Sequence, residues 1–122
     1  FVLVYLPELA TEYKEGYRMV VTDTAVYLVA GTGRGLLYGA FDAIRTEIIE
    51  DALVACDKKI IPDNPLRMMN HWDNMDNSIE RGYSGESFFF ENNEVVVNER
   101  TREYARLCAQ VTDYRNIFGT EG

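Results

Sequence analysis

The sequence predicts an α+β fold over its first 62 residues, with a small sheet and one covering helix. Three runs rich in β-favouring residues indicate strands, at residues 1–6, 16–21 and 25–30. Only Thr22, Asp23 and Thr24 separate the last two runs, which is typical of a hairpin. We therefore expect a sheet that contains antiparallel strands, and we expect the first strand to be buried because its run is wholly apolar.

The covering helix is predicted from about residue 35 to residue 50. Apolar side chains recur there at intervals of four, three and four residues, as on one face of a helix: Leu37, Phe41, Ile44 and Ile48. Polar residues lie off this stripe. We predict that the stripe packs on the sheet.

A glycine-rich turn, residues 31–35, joins the predicted hairpin to the predicted helix. A dinucleotide-binding fingerprint would need a third glycine at position 36, where the chain has Leu36. The hairpin that precedes the turn also favours antiparallel pairing over a parallel mononucleotide fold. We predict a tight turn that leads into a packed helix rather than a nucleotide site.

The best candidate for a domain boundary is the polar segment 57–65, which contains two prolines. It divides the chain into an α+β domain, 1–62, and a second domain, 63–122. In the second domain we predict a strand at residues 66–70, a long loop, and a helix that Asn98 caps. The stripe of this helix comprises Tyr104, Leu107, Cys108 and Val111. This order is typical of the opening of a βα repeat.

The chain carries 20 acidic and 12 basic residues, a formal net charge of −8, without a cluster of Lys and Arg. Nucleic acid is therefore a poor partner, and an anionic sugar would need local cations. No apolar run approaches the roughly 20 residues of a membrane span. Cys56 and Cys108 have apolar neighbours, so we favour two buried thiols, with a disulfide as the alternative. The chain opens at Phe1 within an apolar run, so we expect a processed chain or an excised part of a longer one.

The residues predict neither a metal site nor a cofactor. His71 is the only histidine of the sequence, which excludes a ligand set with two histidines. A calcium loop that began at Asp73 would need glycine where the chain has Ser78.

Residues 70–85 have a different composition. This segment holds one Trp, one Tyr, one His, one Arg and three carboxylates, and almost no aliphatic side chains. Sugar sites need flat apolar faces on which C–H groups stack, together with carboxylates and amides that bind hydroxyls. We interpret the segment as a functional loop.

The segment RMMNHWDNMDNSIERGYSG, residues 67–85, closely resembles the signature stretch of family 67 α-glucuronidases. Residues 15–18, 35–39, 88–90 and 104–107 also resemble that family, so the resemblance covers roughly residues 14–110. It implies an N-terminal accessory domain followed by the first βα unit of a (β/α)8 barrel. Such a barrel needs about 250 residues, so this one would be incomplete.

The resemblance implies an inverting hydrolase that removes glucuronic acid, or its 4-O-methyl ether, from xylan-derived oligosaccharides. Its catalytic carboxylates would lie beyond residue 122, so the chain alone would be inactive. Trp72 matches the tryptophan that forms a wall of the glucuronate pocket. Glu80 would bind sugar hydroxyls, and Arg81 either binds the substrate carboxylate or holds Glu80. His71, Asp73 and Asn74 would fix the loop.

The chain departs from the family in three places, and two of them, Asn77 and the C-terminal end, support a rival hypothesis: a diverged non-catalytic homologue that acts as a sugar-binding or scaffolding module. Asn77 stands where the family usually has Gly, residues 91–93 replace a stretch expected to hold another aromatic, and the resemblance fades after Gln110. An orphan barrel strand would also leave an open edge, so a homo-oligomer is a further possibility.

Overall fold

The computed structural model describes residues 1–50 and 53–112. The chain forms two compact units, and Arg67 is the last residue of the first before Met68–Cys108 begins the second. The first unit has strands β1 (Val2–Tyr5), β2 (Tyr17–Val21), β3 (Val26–Ala30) and β4 (Cys56–Ile60), with helices α1 (Ala10–Tyr13) and α2 (Gly33–Glu50). The second holds strands β5 (Phe90–Glu91) and β6 (Glu94–Val95) and most of helix α3 (Glu99–Thr112).

The α+β class is confirmed: the first unit is a four-stranded mixed sheet with α2 packed on it. The strand order is β1-β3-β2-β4, with β1 parallel to β3 and the other pairs antiparallel. The β2–β3 hairpin is as predicted, and the N–H of Thr22 donates to the carbonyl of Ala25 across its loop at 2.9 Å. Alternate residues of both hairpin strands face α2 and are buried, with Leu28 and Met19 paired at the centre.

The face of α2 that packs on the sheet is not the one predicted. Leu37, Ile44 and Ile48 are exposed, Ile48 by 75%. The buried positions of the helix are instead Gly35, Gly39, Asp42 and Ala43. A helix that presents glycine and alanine can approach a sheet more closely than one that presents leucine and isoleucine, and here the close approach decides which face is buried.

Two glycines make that approach possible. A methyl group added at Gly35 would lie 2.3 Å from the carbonyl oxygen of Gly16, and one added at Gly39 would lie 3.0 Å from the ring of Tyr17. The start of the helix is capped by Thr32, whose hydroxyl oxygen accepts a hydrogen bond from the N–H of Gly35 at 3.0 Å. The glycine-rich turn therefore leads into a packed helix, as predicted.

The edge strands differ from the predictions. β1 was expected to be buried, but it lies at an edge of the sheet and Val2, Leu3 and Tyr5 are exposed. The segment 57–65 was predicted to contain a domain boundary, and its first part belongs to β4. β4 is an edge strand whose charges are paired: Asp57 with Arg18, and Lys59 with Glu12. Charged residues are common on edge strands because they oppose pairing with other chains.

The cysteines also depart from expectation. Both thiols are free, but Cys56 lies on the edge strand β4 and is exposed, whereas Cys108 is partly buried in α3. The expectation of two buried thiols is therefore wrong for Cys56.

One carboxylate is buried between α2 and the sheet. Asp42 accepts hydrogen bonds from the Tyr17 hydroxyl at 2.7 Å and from Arg45 at 2.8 Å, and Lys58 lies 2.7 Å from it. Burial alone would raise the pKa of Asp42, but the hydrogen bonds from Lys58 and Tyr17 and the charges of Lys58 and Arg45 lower it below its ordinary value. Asp42 thus ties the helix to β2 and β4.

Where the second unit begins, the strand predicted at residues 66–70 is absent. No described segment pairs with these residues, and a strand exists only where a neighbour supplies its hydrogen bonds. A first barrel unit therefore stays a prediction. The unit has instead a short hairpin, β5–β6, whose loop residues Asn92 and Asn93 both have positive φ, as two-residue hairpin turns require.

Helix α3 begins as predicted. The side chain of Asn98 accepts a hydrogen bond from the N–H of Thr101 at 3.2 Å, and the Thr101 hydroxyl accepts one from the N–H of Asn98 at 2.8 Å. This reciprocal pair satisfies two donors at the helix start. Of the predicted stripe, Tyr104 and Cys108 are partly buried, Leu107 is exposed, and the side chain of Val111 lies outside the described part.

The helix–sheet contact yields a matched pair of substitutions. We expect Gly35→Ala to destabilise the chain by about 1–3 kcal/mol, because the added methyl group overlaps the backbone of Gly16. Gly33→Ala, in the same helix, meets no atom within 4 Å and should stabilise by about 0.4–1 kcal/mol. Urea unfolding followed by circular dichroism measures both. Equal effects would contradict the proposed approach of α2 to the sheet.

The carboxylate of Asp42 predicts a pH dependence of stability. Because its pKa is lower in the folded chain, its contribution is complete above the unfolded value of about 4 and is lost as the pH falls through the folded pKa. Asp42→Asn should destabilise the chain at neutral pH, by at most about 3–5 kcal/mol since Lys58 keeps some solvent access.

The difference in unfolding free energy between the chain and Asp42→Asn should shrink below about pH 4. Glu47→Gln, on the exposed side of the same helix, is the control and should show little effect at any pH. A difference that persists undiminished in acid would contradict this account of Asp42.

Candidate functional site

The loop of residues 70–85, which its composition distinguishes, folds back on itself into a compact segment. Short antiparallel bridges join Asp73 to Ile79 and Ser78 to Glu86. The N–H of Glu80 donates to the carbonyl of Trp72 at 2.7 Å, and the N–H of Asn74 donates to that of Ser78 at 2.8 Å. The loop is therefore held by its own backbone, and Trp72 and Glu80 are adjacent across it.

The tip of the loop is fixed by Asp76. Its carboxylate accepts hydrogen bonds from the Ser78 hydroxyl at 2.6 Å and the Ser78 N–H at 3.0 Å, and these bonds lower the pKa of Asp76. This arrangement is an Asx turn, a usual role of aspartate in a tight turn. Asp76 therefore has a structural function here.

Asn77 has a left-handed backbone with φ of 76°. Glycine adopts this conformation at no steric cost, and asparagine is among the few other residues that tolerate it. The same backbone requirement therefore explains both the glycine expected at this position and the asparagine observed there. The substitution is compatible with the loop's shape.

Glu80 also has a left-handed backbone, with φ of 56°. A glutamate gains nothing from this conformation, and such strain persists where the surroundings impose it. The carbonyl of Glu80 accepts a hydrogen bond from the side-chain amide of Asn74 at 2.8 Å. Its carboxylate accepts one from the Tyr83 hydroxyl, which raises the pKa of Tyr83. The backbone and the side chain of Glu80 are therefore each held by one contact.

His71 anchors the start of the loop to α3. Its Nε2 lies 2.9 Å from the Tyr104 hydroxyl, and its ring packs edge-to-face on Phe89 and Tyr104 at centroid distances of 4.8 and 5.4 Å. Phe88 packs on both Phe89 and Tyr104. We call His71, Phe88, Phe89 and Tyr104 the aromatic cluster. It joins three segments that resemblance had singled out separately.

The remaining residues named from the sequence divide into two groups. Trp72 is 60% exposed and Arg81 is exposed, and within the described residues Arg81 forms no ion pair with Glu80 or any other carboxylate. Asp73, by contrast, has a largely buried side chain whose Oδ1 lies 3.6 Å from Nδ1 of His71. Trp72 and Arg81 are thus available to a ligand, while Asp73, Asn74 and His71 contact the loop itself.

Sequence reasoning missed the contributions of Tyr83 and Tyr104. Tyr104 was identified as part of the stripe of α3 and of a segment that resembles the family, but not as the partner of His71, which its hydroxyl is. Its pKa is raised by burial and by a hydrogen bond with Cys108. A tyrosine on the packed side of a helix needs a partner for its hydroxyl, and that requirement was the available signal.

In the described part of the chain, no three side chains of His, Cys, Asp or Glu come together in a way that could hold a metal ion. Within the same residues, no helix combines the length and apolar character needed to cross a membrane.

Comparison with known proteins identifies the family. Residues 48–115, more than half of the chain, match the model of the glycosyl hydrolase family 67 middle domain. The class of protein that this match defines is that of the glycoside hydrolases, and the chain belongs to family 67 of that class.

Similar curated proteins are named α-glucuronidases. The chain is 38% identical over 98 residues to "Probable alpha-glucuronidase A" of Aspergillus terreus, which covers 80% of the chain. It is 37% identical over 106 residues to the protein of that name from Neosartorya fischeri, covering 86% of the chain. It is 35% identical over 109 residues to "Alpha-glucuronidase A" of Aspergillus tubingensis, covering 88%. The chain spans about 12% of the length of these relatives.

The left-handed backbone of Asn77 is testable with two substitutions that both remove its amide. The Asn77 Oδ1 is buried and accepts no hydrogen bond in the described residues, so Asn77→Gly should be neutral or stabilising. Asn77→Ala should be less stable than Asn77→Gly by about 1–2 kcal/mol, because only alanine opposes a positive φ. Unfolding followed by the fluorescence of Trp72 measures the order, and an alanine variant as stable as the glycine variant would contradict it.

Proposed function

We propose that this chain supplies part of the sugar pocket of an inverting α-glucuronidase. The parent enzyme would remove glucuronic acid, or its 4-O-methyl ether, from oligosaccharides derived from xylan. The family membership supports the class of enzyme, and the names of the relatives support the glycosidic bond that it cleaves. The loop of residues 70–85 is the part of the chain that would contact the sugar.

The exposed face of Trp72 supports a stacking role. An indole that is 60% exposed costs solubility unless a ligand covers it, and the C–H face of a pyranose is a suitable cover. The backbone of Trp72 is fixed by its hydrogen bond to Glu80. Its neighbour His71 is fixed by the aromatic cluster. A rigid support of this kind reduces the entropy lost when a ligand binds.

The observation that carries the proposal is the strained position of Glu80. The loop would fold with less strain if glycine or asparagine stood there, so the carboxylate is the reason to keep glutamate. A carboxylate beside a tryptophan face can accept two hydrogen bonds from neighbouring sugar hydroxyls. Tyr83 directs the carboxylate, and Asn74 holds the backbone from which it projects.

The anionic group of the substrate requires a cation, which Arg81 can provide. Arg81 follows Glu80 directly and is exposed, and it does not form an ion pair with a described carboxylate. Of the two roles considered for it, the absence of an ion pair with Glu80 among the described residues favours the substrate carboxylate. A guanidinium binds a carboxylate through two parallel hydrogen bonds, which also fixes the orientation of the sugar.

The chemical step would use carboxylates outside this chain. Inverting glycosidases need a general acid and a general base about 6.5–9.5 Å apart, on opposite faces of the sugar. Asp73 contacts His71, Asp76 closes a turn, and Glu80 is assigned to the sugar hydroxyls, so we give none of the three either role. We therefore expect the chain of 122 residues to release no glucuronate from aldouronic acids.

The rival hypothesis of a non-catalytic sugar-binding module loses one of its supports. Asn77 keeps the left-handed conformation that glycine would adopt, so its presence does not distort the loop. Its other support is the segment after Gln110, and from position 113 onward that segment lies outside the described residues.

The proposal is tested by titrating the chain with glucuronate while following the fluorescence of Trp72, its single tryptophan. We expect a saturable change, because a stacked sugar removes water from the indole. Glu80→Gln should weaken binding about tenfold, since hydrogen bonds to a charged acceptor contribute about 1.5–3 kcal/mol.

Glu94→Gln, an exposed carboxylate of the β5–β6 hairpin, is the matched control and should bind like the unsubstituted chain. Equal weakening by both variants would contradict the role of Glu80. Release of glucuronate from aldouronic acids by the chain itself would contradict the assignment of the chemical step to residues elsewhere.

A further inference from the structure

A pocket lies in the first unit, and it shares no residue with the loop of residues 70–85. It is a pocket of about 280 Å³ near the short helix α1. Three apolar residues line it, Ala10, Pro62 and Pro65, and four polar ones, Lys14, Glu15, Thr32 and Arg67. Its volume is at the lower end of the range of ligand pockets, about 300–1,000 Å³, so its ligand would be small.

The charge of the lining is positive although the chain is acidic overall. Glu15 is the only carboxylate of the lining, and both of its oxygens are engaged. Oε1 accepts a hydrogen bond from Arg34 at 2.6 Å, and Oε2 accepts one from Arg67 at 3.1 Å. With Lys14 and Arg67 cationic and Glu15 neutralised, an anion is the ligand that the lining favours.

Arg67 is held rigidly, but not all of its hydrogen-bond donors have partners in the described residues. Its Nη1 donates to the carbonyl of Asn64 at 2.9 Å, and its guanidinium lies 5.5 Å from the centroid of the Tyr38 ring. Its Nε is buried and has no hydrogen-bond partner in the described residues. A buried donor without a partner costs about 1–3 kcal/mol, a cost that the contacts of Arg67 within the described residues do not offset.

Lys14 provides an independent observation. Its backbone has φ of 54° and ψ of −122°, outside the conformations that side-chain-bearing residues prefer. Its ammonium forms no ion pair with a described residue, in contrast to Lys58 and Lys59 of the same unit. A strained position that nevertheless carries an unpaired lysine, at the rim of a pocket, is the pattern of a functional residue.

We propose that this pocket binds a small molecule with a carboxylate on a compact apolar body. The carboxylate lies between the Lys14 ammonium and the Arg67 guanidinium, whose planar donors match its geometry. The apolar body packs against Ala10, Pro62 and Pro65. The proposal does not depend on the sugar-binding role of the loop.

Benzoate and benzamide form a matched pair of probes, because they have the same shape and differ in charge. We titrate the 122-residue chain with each and follow backbone amide shifts by NMR. Benzoate should give saturable shifts at Lys14, Thr32 and Arg67, and benzamide should bind at least about tenfold more weakly, the factor expected for a charge-assisted contact.

Lys14→Gln and Arg67→Lys should each weaken benzoate binding about tenfold. Lys14 is exposed, so its variant should fold normally even if Arg67→Lys does not. Lys59→Gln makes the same charge change as Lys14→Gln outside the pocket and should leave binding within twofold, since Lys59 is paired with Glu12.

Three results on the strength of binding would overturn the proposal. They are the absence of saturable binding by benzoate, equal binding of benzamide, and equal effects of Lys14→Gln and Lys59→Gln. Shifts confined to Trp72 and Glu80 would also overturn it, because they would move the carboxylate site to the loop and leave the proposed sugar pocket intact.

Discussion

The distance between helix α2 and the β2–β3 hairpin determines much of the first unit. The helix can come so close only because Gly35 and Gly39 carry no side chain where Gly16 and Tyr17 stand. That contact buries Leu28 and Met19 in the core and brings Asp42 within reach of Tyr17 on β2 and Lys58 on β4. A bulkier helix face would separate the layers, leaving the Asp42 carboxylate without its partners. A buried charge without partners is far more costly than one that is paired.

The second unit depends on side chains rather than on a regular sheet. Its only described ladder is the short β5–β6 hairpin, so the aromatic cluster and the bonds within the loop supply the order. His71 connects them, because it belongs to the loop and also contacts α3 through Tyr104. Trp72 follows His71 directly in the chain, and the N–H of Glu80 donates a hydrogen bond to the carbonyl of Trp72. The contacts of His71 therefore also restrict the movement of Trp72 and Glu80.

Features set by neighbouring residues could be predicted from the sequence. The hairpin around Thr22, the cap at Asn98 and the composition of the loop all depend on short-range rules, and the first two are confirmed. The buried face of α2 could not be inferred from its apolar stripe, because periodicity shows that a stripe exists but not what covers it. The recurrence of small residues at 35, 39 and 43 was the better signal. β4 was missed because its charged residues look like those of a loop, whereas in the fold they pair with residues far away in the sequence. The contact of His71 with Tyr104 was missed because it joins positions 33 residues apart.

The exposed apolar side chains of this chain have a thermodynamic consequence. Leu3, Ile48 and Trp72 already meet water in the folded state, together with many other large apolar residues. Unfolding therefore uncovers less new apolar surface than it does in an average domain of this length. Both the increase in heat capacity on unfolding and the slope of unfolding free energy against urea scale with that newly exposed surface. The chain's stability curve is accordingly flatter with temperature, and its unfolding transition broader in denaturant, than its length alone would indicate.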